Sequence, residues 1–185
     1  MKAKKAAAKP KVKGLRSMVS KIKKLLMSSD VTSIEQGITL LESANIAEVW
    51  DALLKDFNPK TGLGKGDSKS DLAGMGKVFS KCRLSDAGIT RWVTLRVLAS
   101  APEGSPAAEL RAMVPEIRLD AREGAQWGAA KAYPMIPKLT GFSSLTSVSI
   151  SGDVASPSLD WLADCSLQSL VLPKLTKATS IEGLR

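Results

Sequence analysis

The second half of the chain repeats a short pattern in which three apolar residues are spaced as L-x-x-L-x-L. The pattern occurs four times, as Trp92-Leu95-Val97, Val114-Ile117-Leu119, Leu145-Val148-Ile150 and Leu167-Leu170-Leu172. Successive copies begin 22 (92 to 114), 31 (114 to 145) and 22 (145 to 167) residues apart. A repeat spacing of about 20 to 50 residues indicates an array in which each copy is one structural unit. Because side chains alternate along a strand, each copy predicts a short strand whose apolar residues face inward.

The first copy allows a second interpretation. Ile89, Trp92, Val93 and Val97 also fit one face of a helix that is interrupted by Arg96. A short apolar run is compatible with either a strand or a buried helix. Both interpretations stay open at the level of the sequence.

The segments between the copies predict the opposite surface of each unit. Ser105 followed by Pro106 is a helix N-cap with proline at the first helical position, which predicts a short helix over residues 107–113. Further apolar filler is predicted at Leu159, Trp161 and Leu162, and again 22 residues after the first and third of these, at Ile181 and Leu184.

The first third of the chain has helical rather than strand periodicity. Three apolar faces follow one another at spacings of three and four residues. They are Leu15, Met18, Val19, Ile22, Leu25 and Leu26; Val31, Ile34, Ile38 and Leu41; and Ile46, Val49, Trp50, Leu53, Leu54 and Phe57. Ser29 or Asp30 can cap the second helix, and Asn45 starts the third. The short link between them predicts an antiparallel pair that shares an apolar seam.

These patterns predict an α/β fold with four regions. Residues 1–14 form a disordered basic tail, residues 15–57 a helical cap, residues 58–70 a flexible linker, and residues 71–185 a repeat region with parallel strands. The linker is rich in glycine and lysine, but it lacks the G-x-x-x-x-G-K-[ST] phosphate-loop pattern and no strand precedes it. A short helix is predicted around Leu72, Met75, Phe79 and Cys82.

The composition excludes several kinds of chemistry. The chain has no histidine, so Ser-His-Asp and Cys-His catalysis within it are excluded. Cys82 and Cys165 are too few for a structural zinc site and are expected to be reduced thiols in the cytoplasm. No apolar run is long enough to span a membrane, and the N-terminus lacks the apolar core of a secretory signal. We therefore expect neither an enzyme nor a cofactor-binding protein, and a cytoplasmic location.

The net charge of +9 comes from the N-terminus. Residues 1–24 contain ten basic side chains and no acid, whereas the remaining residues are close to neutral. The lysines of the tail itself are Lys2, Lys4, Lys5, Lys9, Lys11 and Lys13. Such a tail can release counterions from nucleic-acid phosphates, approach an anionic membrane surface, or act only as a solubilising arm. The helix over 15–26 can likewise lie on a membrane, dock into a partner, or cover the next two helices.

If the four copies are neighbouring strands, the residues between the apolar positions form columns on the outward, concave face. Arg96 and Arg118 would then be neighbours, with Glu116 beside them, as an anchor for an acidic partner; the alternative is an ordinary solvated strand face. The predicted partner-binding residues are Thr94, Arg96, Glu116, Arg118, Ser147, Ser149, Gln168 and Ser169.

The segments LTSVSI (145–150), LQSLVL (167–172) and SIEGLR (180–185) resemble bacterial leucine-rich repeat proteins. The run LLMSSDVTSIEQGITLLESANIAEVWDALL (25–54) is similar to the helical segment that precedes the repeats in some of them. The resemblance implies a short solenoid that binds another protein, with no catalytic residues to transfer. The family usually has Asn or Cys three residues after the strand, where this chain has Ser100, Arg122, Asp153 and Leu175, which implies irregular units. The last repeat lacks a polar cap, so we expect a truncated or divergent member, a frayed last strand, or association of this end with another chain.

Overall fold

The computed structural model describes residues 14–28, 30–44, 46–54, 57–63, 87–120, 132–133, 136–151, 153–154 and 159–172. The helices of this part are α1 (Leu15–Leu26), α2 (Val31–Ala44), α3 (Ala47–Leu54), α4 (Ala87–Ala99) and α5 (Pro106–Ala112). The strands are β1 (Glu116–Asp120), β2 (Ala132–Tyr133), β3 (Ser147–Ser151), β4 (Asp153–Val154) and β5 (Ser169–Val171), and short 3-10 turns cover Pro59–Thr61 and Asp160–Leu162. The predicted α/β class is confirmed.

The three N-terminal helices form as their apolar periodicities predict, but the seam predicted between α2 and α3 is not a main contact, because α1 packs against both. Asp30 caps α2, because its carboxylate accepts hydrogen bonds from the backbone N–H of Ser33 at 2.9 Å and of Thr32 at 3.4 Å. α1 packs against α2 and α3 through its buried residues Ile22 and Leu26. The apolar face of α1 therefore covers the next two helices, which was one of the three alternatives for this helix.

The first copy of the repeated pattern is a helix, so the prediction of a strand over Trp92 to Val97 is wrong. α4 packs against α2, α5 and β1. Every residue from Trp92 to Leu98 is buried, including Thr94 and Arg96 between the apolar positions. Strands with one solvated face expose alternate residues, whereas a helix enclosed on several sides does not. Burial from several directions is the physical reason that this copy differs from the others.

The other three copies form a parallel sheet in the order β1-β3-β5. Its register pairs Ile117 with Val148 and Val148 with Leu170, which are the middle apolar positions of the three copies. The register therefore agrees with the prediction residue by residue. Ile117 and Val148 are almost fully buried and Leu170 is half-buried. A separate pair of two-residue strands, β2 and β4, is also parallel.

The connections contain the predicted helix start and the predicted apolar filler residues. The Ser105 hydroxyl accepts a hydrogen bond from the backbone N–H of Ala108 at 3.1 Å, and Pro106 is at the first position of α5. Leu159, Trp161 and Leu162 are buried around a 3-10 turn. The second apolar pair of this kind, Ile181 and Leu184, lies outside the described residues.

Leu63 occupies the place beside β1 that the first copy was predicted to fill. It forms a parallel bridge with Ile117, its N–H donates to the Glu116 carbonyl at 2.9 Å, and its own carbonyl accepts from the Arg118 N–H at 3.3 Å. Gly62 allows this approach. Its φ is +67°, and a Cβ at this position would lie 2.6 Å from the Glu116 carbonyl oxygen.

The flexible linker predicted over 58–70 therefore does not hold for residues 58–63, because Leu63 is 1% exposed and is hydrogen-bonded to the sheet. Buried side chains of the helices and of the sheet form one continuous cluster. Residues 64–86, with the helix predicted around Leu72, lie outside the described part, as do most residues of the basic tail. The other predicted domain limits stay predictions.

Candidate functional site

Six residues on the solvent side of β1, β3 and β5 form the candidate site, which we call the outward sheet face. They are Glu116, Arg118, Ser147, Ser149, Ser169 and Val171. The register places them in two rows across the sheet, one through Glu116, Ser147 and Ser169 and one through Arg118, Ser149 and Val171. Since paired strands are about 4.8 Å apart, each row spans roughly 10 Å.

The outward sheet face contrasts with the buried side of the same strands. Arg118 and Ser169 are exposed, Val171 is 56% exposed, and Ser147 and Ser149 are half-buried. Directly beneath, Ile117, Val148 and Ile150 are each at most 1% exposed. The sheet thus presents one cation, one half-buried carboxylate, Glu116, small hydroxyl groups and one apolar side chain above a packed interior.

Gln168, a predicted site residue that directly precedes β5, belongs to a third row that continues the hydrogen bonds of the sheet. The Thr146 N–H donates to the Pro115 carbonyl at 3.0 Å, and the Gln168 N–H donates to the Thr146 carbonyl at 2.8 Å. The Thr146 hydroxyl also donates to the Pro115 carbonyl, at 3.2 Å. The side chain of Gln168 is exposed beside the outward sheet face.

Arg96 and Thr94 are not on the outward sheet face, which corrects their predicted positions. Arg96 is 8% exposed on α4, where its guanidinium donates to the Glu35 carboxylate of α2 at 2.6 Å and lies 5.8 Å from the centroid of the Trp92 ring. Thr94 is fully buried. Helical geometry directs both side chains into the packing between α4 and its neighbours. The predicted pairing of Arg96 with Arg118 therefore does not occur.

Arg111 is a structurally important residue that no pattern in the sequence singles out. It is 3% exposed on α5 and donates to the carbonyl of Ala99, the last residue of α4, at 3.2 Å, to that of Ala101 at 3.1 Å, and to the carboxylate of Glu103. Gly141, with φ +83°, packs against its guanidinium, and a Cβ there would lie 2.6 Å from Arg111 Nε. Arg111 therefore fixes α4 to α5, from which the chain enters β1.

The only sequence signal for this role is the position of Arg111 in the last turn of a short helix, where a basic residue is ordinary. Its partners are distant carbonyl groups, which have no signature in the sequence. The residue therefore has no recognisable pattern before the fold is known.

The described residues contain no group of three or more Cys, Asp or Glu residues arranged to bind a metal ion. Cys165 is a free, half-buried thiol, and burial and the nearby Asp164 carboxylate raise its pKa, which disfavours the reactive thiolate. Across the same part of the chain, none of the helices is both long and apolar enough to cross a membrane.

Two of the predicted binding regions lie outside the described residues. They are the tail lysines, Lys2, Lys4, Lys5, Lys9, Lys11 and Lys13, and the segment 173–185 that follows β5. The expectation that the end of the repeat region associates with another chain stays a prediction.

Comparison with protein-family models, curated proteins and solved structures gave no match to this chain.

Proposed function

We propose that the chain is a non-enzymatic module that binds another protein on the outward sheet face of a short leucine-rich-repeat-like solenoid. The observation that carries the proposal is the register of β1, β3 and β5. It aligns three copies of one sequence pattern as neighbouring parallel strands in chain order, 31 and then 22 residues apart in sequence. Stacked repeats of this kind offer extended surfaces for partners.

The chemistry of the outward sheet face fits a protein surface. Arg118 supplies an exposed guanidinium that can bind a carboxylate through two parallel hydrogen bonds. The serines of β3 and β5 supply hydrogen bonds without bulk. Val171 supplies an exposed apolar contact two strands from Arg118. A partner that places an acidic group near β1 and an apolar side chain near β5 would be complementary to both ends of the row.

Site-specific photo-crosslinking in cells tests the proposal. A photoreactive amino acid at Ser149, in the centre of the row, should give a discrete adduct with one partner. The double variant Arg118→Glu/Val171→Asp in the same chain should remove that adduct without changing the urea midpoint of unfolding. Charge reversal of exposed surface residues away from buried networks usually changes stability by less than about 0.5 kcal/mol.

Matched controls use comparable residues outside the face. Lys138 is an exposed cation, and Met113 is an apolar residue that is 48% exposed. The variant Lys138→Glu/Met113→Asp should leave the Ser149 adduct intact, and a photoreactive group at Met113 should not give it. Equal loss of the adduct in both double variants would refute the proposal.

A second candidate function is contact with nucleic acid through the basic tail. The observation in its favour is the concentration of ten basic residues and no acid in residues 1–24. Deleting residues 1–24 is not a clean test, because it would remove most of α1 and its buried residue Ile22. Replacing the six tail lysines with glutamine removes the charge and leaves α1 intact. A gel shift with duplex DNA at two salt concentrations should show weaker binding and a smaller salt dependence. Unchanged binding would exclude the tail as the contact.

A further inference from the structure

α1 has two faces with different surroundings. Its apolar face is buried against α2 and α3, with Ile22 at 0% and Leu26 at 1% exposure. Its other face is polar and solvent-exposed throughout: Arg16, Ser17, Ser20, Lys21 and Lys24. Arg16 and Lys24 are eight residues apart, which corresponds to about 12 Å along the helix.

The stability of α1 accounts for only one of these three cations, Lys24. Lys24 lies in the last turn, where a positive charge interacts favourably with the helix dipole. Arg16 lies in the first turn, where a positive charge is unfavourable, and no acidic residue is present in that turn. Lys21 is in the middle of the helix.

Nor do the acidic residues of the neighbouring helix neutralise them. Lys21 and Glu35 line the same open groove of about 510 Å³ between α1 and α2. The Glu35 carboxylate is, however, engaged by Arg96 at 2.6 Å, and in the described structure neither Glu35 nor Glu42 forms an ion pair with a cation of α1. The groove is lined next to Lys21 by the exposed polar side chains of Thr32 and Gln36 and by the half-buried Leu25 and Leu40.

From these observations we infer that the exposed face of α1 is a built phosphate-contact surface for nucleic acid, with Arg16, Lys21 and Lys24 as the contacting residues. The inference deepens the second candidate function and rests on it, because it adds a structured element to the tail lysines that immediately precede α1. On duplex DNA, phosphates of one strand repeat about every 3.4 Å along the axis, so 12 Å spans about three of them. The three cations therefore match the length of a short run of phosphates.

A nucleic acid fits this face better than a membrane does. An amphipathic helix that lies on a membrane inserts its apolar face between the lipids. In α1, Ile22 and Leu26 are instead buried in the core and the remaining apolar side chains are half-buried, so the fully exposed side chains of the helix are charged or polar. Phosphate contacts require no more than these groups.

The test measures binding of the full chain to a 20-base-pair DNA duplex over a series of salt concentrations. The variant Arg16→Gln/Lys21→Gln removes the two cations that the stability of α1 does not explain. It should weaken binding about tenfold or more near 0.1 M salt and reduce the slope of log K against log salt by about 2, since each phosphate contact contributes roughly 0.9. The conservative variant Arg16→Lys/Lys21→Arg should retain binding.

A charge-matched control is Lys60→Gln/Lys138→Gln, which replaces two exposed cations that are not on α1. It should change affinity by less than about twofold, and all variants should keep the urea midpoint of the unchanged chain. Equal losses in the two glutamine variants would show a general charge effect and overturn the inference.

The remaining outcomes separate the inference from the function on which it rests. If the unchanged chain binds duplex and only substitution of the tail lysines weakens binding, the tail function stands and the role of α1 is refuted. If the unchanged chain does not bind duplex, both fail. Binding to vesicles of phosphatidylcholine and phosphatidylserine without binding to duplex would also refute the role of α1.

Discussion

α4 and the parallel sheet contain the same apolar pattern, but one is a helix and the other is three strands. In the sheet, polar residues separate the apolar positions, as Glu116 and Arg118 do in β1, and these residues point to solvent. In α4, the corresponding positions hold Thr94 and Arg96, which are buried. The spacing of apolar residues therefore indicates that a segment is buried in the core. Whether the segment is a helix or a strand here depends on the number of sides from which its neighbours bury it.

The arginines show the same difference between the two regions. Arg96 and Arg111 are buried and hold helices together through specific partners. Arg118 is exposed on a strand and is free to meet a ligand of the sheet. Burial therefore divides residues of one type into those that hold helices together and those that stay accessible to solvent.

The largest expected effect is on stability when a buried arginine is removed. Arg111→Ala should lower the free energy of unfolding by about 3 kcal/mol, because the carbonyls at the end of α4 lose a charged donor inside the protein. Arg118→Ala should lower it by less than about 0.5 kcal/mol. Urea unfolding measures both. Similar values for the two variants would contradict the division into buried and outward arginines.

The next effect concerns the attachment of Leu63 to the edge of the sheet. Gly62→Ala should cost about 2 to 3 kcal/mol, because its positive φ is strained for alanine and the added Cβ would meet the Glu116 carbonyl at 2.6 Å. Gly104→Ala is the matched control. Its φ is +74°, but a Cβ there has nothing within 4 Å, so only about 1 kcal/mol of backbone strain is expected. Equal costs, measured by thermal or urea unfolding, would mean that Leu63 is not held against β1.

A smaller effect is expected for the ion pair that ties α4 to α2. A double-mutant cycle with Arg96→Ala and Glu35→Ala should give a coupling energy of about 1 kcal/mol, because the Glu35 side chain is 34% exposed and solvent screens part of the attraction. The same cycle with Arg118 in place of Arg96 should give none. A coupling energy of zero for Arg96 would mean that the ion pair with Glu35 does not help to hold α4 against α2.

The smallest effect is the pH dependence of the α2 cap, which has no counterpart in the sheet. Hydrogen bonds from the Ser33 side chain and backbone lower the pKa of Asp30 below its ordinary value of 3.8. A lowered pKa in the folded state means that the cap stabilises the fold above the ordinary value, and that this stabilisation is lost as the pH falls through the lowered pKa.

Urea midpoints recorded between pH 2 and 6 test this for the unchanged chain and for Asp30→Asn. Asparagine is about as good an N-cap as aspartate but does not titrate in this range. The variant should therefore lose only the part of the acid sensitivity that comes from the cap. Identical pH profiles would show that Asp30 does not contribute to it.

Much of the fold could be predicted because its signals are local. The apolar periods of α1, α2 and α3, the Ser105-Pro106 start of α5 and the apolar positions of β1, β3 and β5 each depend on residues within one turn or one strand. Because side chains alternate with a period of two, these positions also determined which residues share the outward sheet face. Arg118 and the serines of the candidate site were therefore predictable before the strands were known to pair.

Contacts between distant segments could not be predicted in this way. Leu63 reaches β1 across more than fifty residues of sequence, Arg111 finds its carbonyl partners only once α4 and α5 are packed, and Arg96 finds Glu35 only because α4 lies against α2. The amino-acid order by itself determined which segments have an apolar side and where helices can begin. Tertiary packing alone decided that residues 92–97 are enclosed as a helix and that Leu63 takes the place beside β1, because burial from several sides is a property of neighbours and not of the segment.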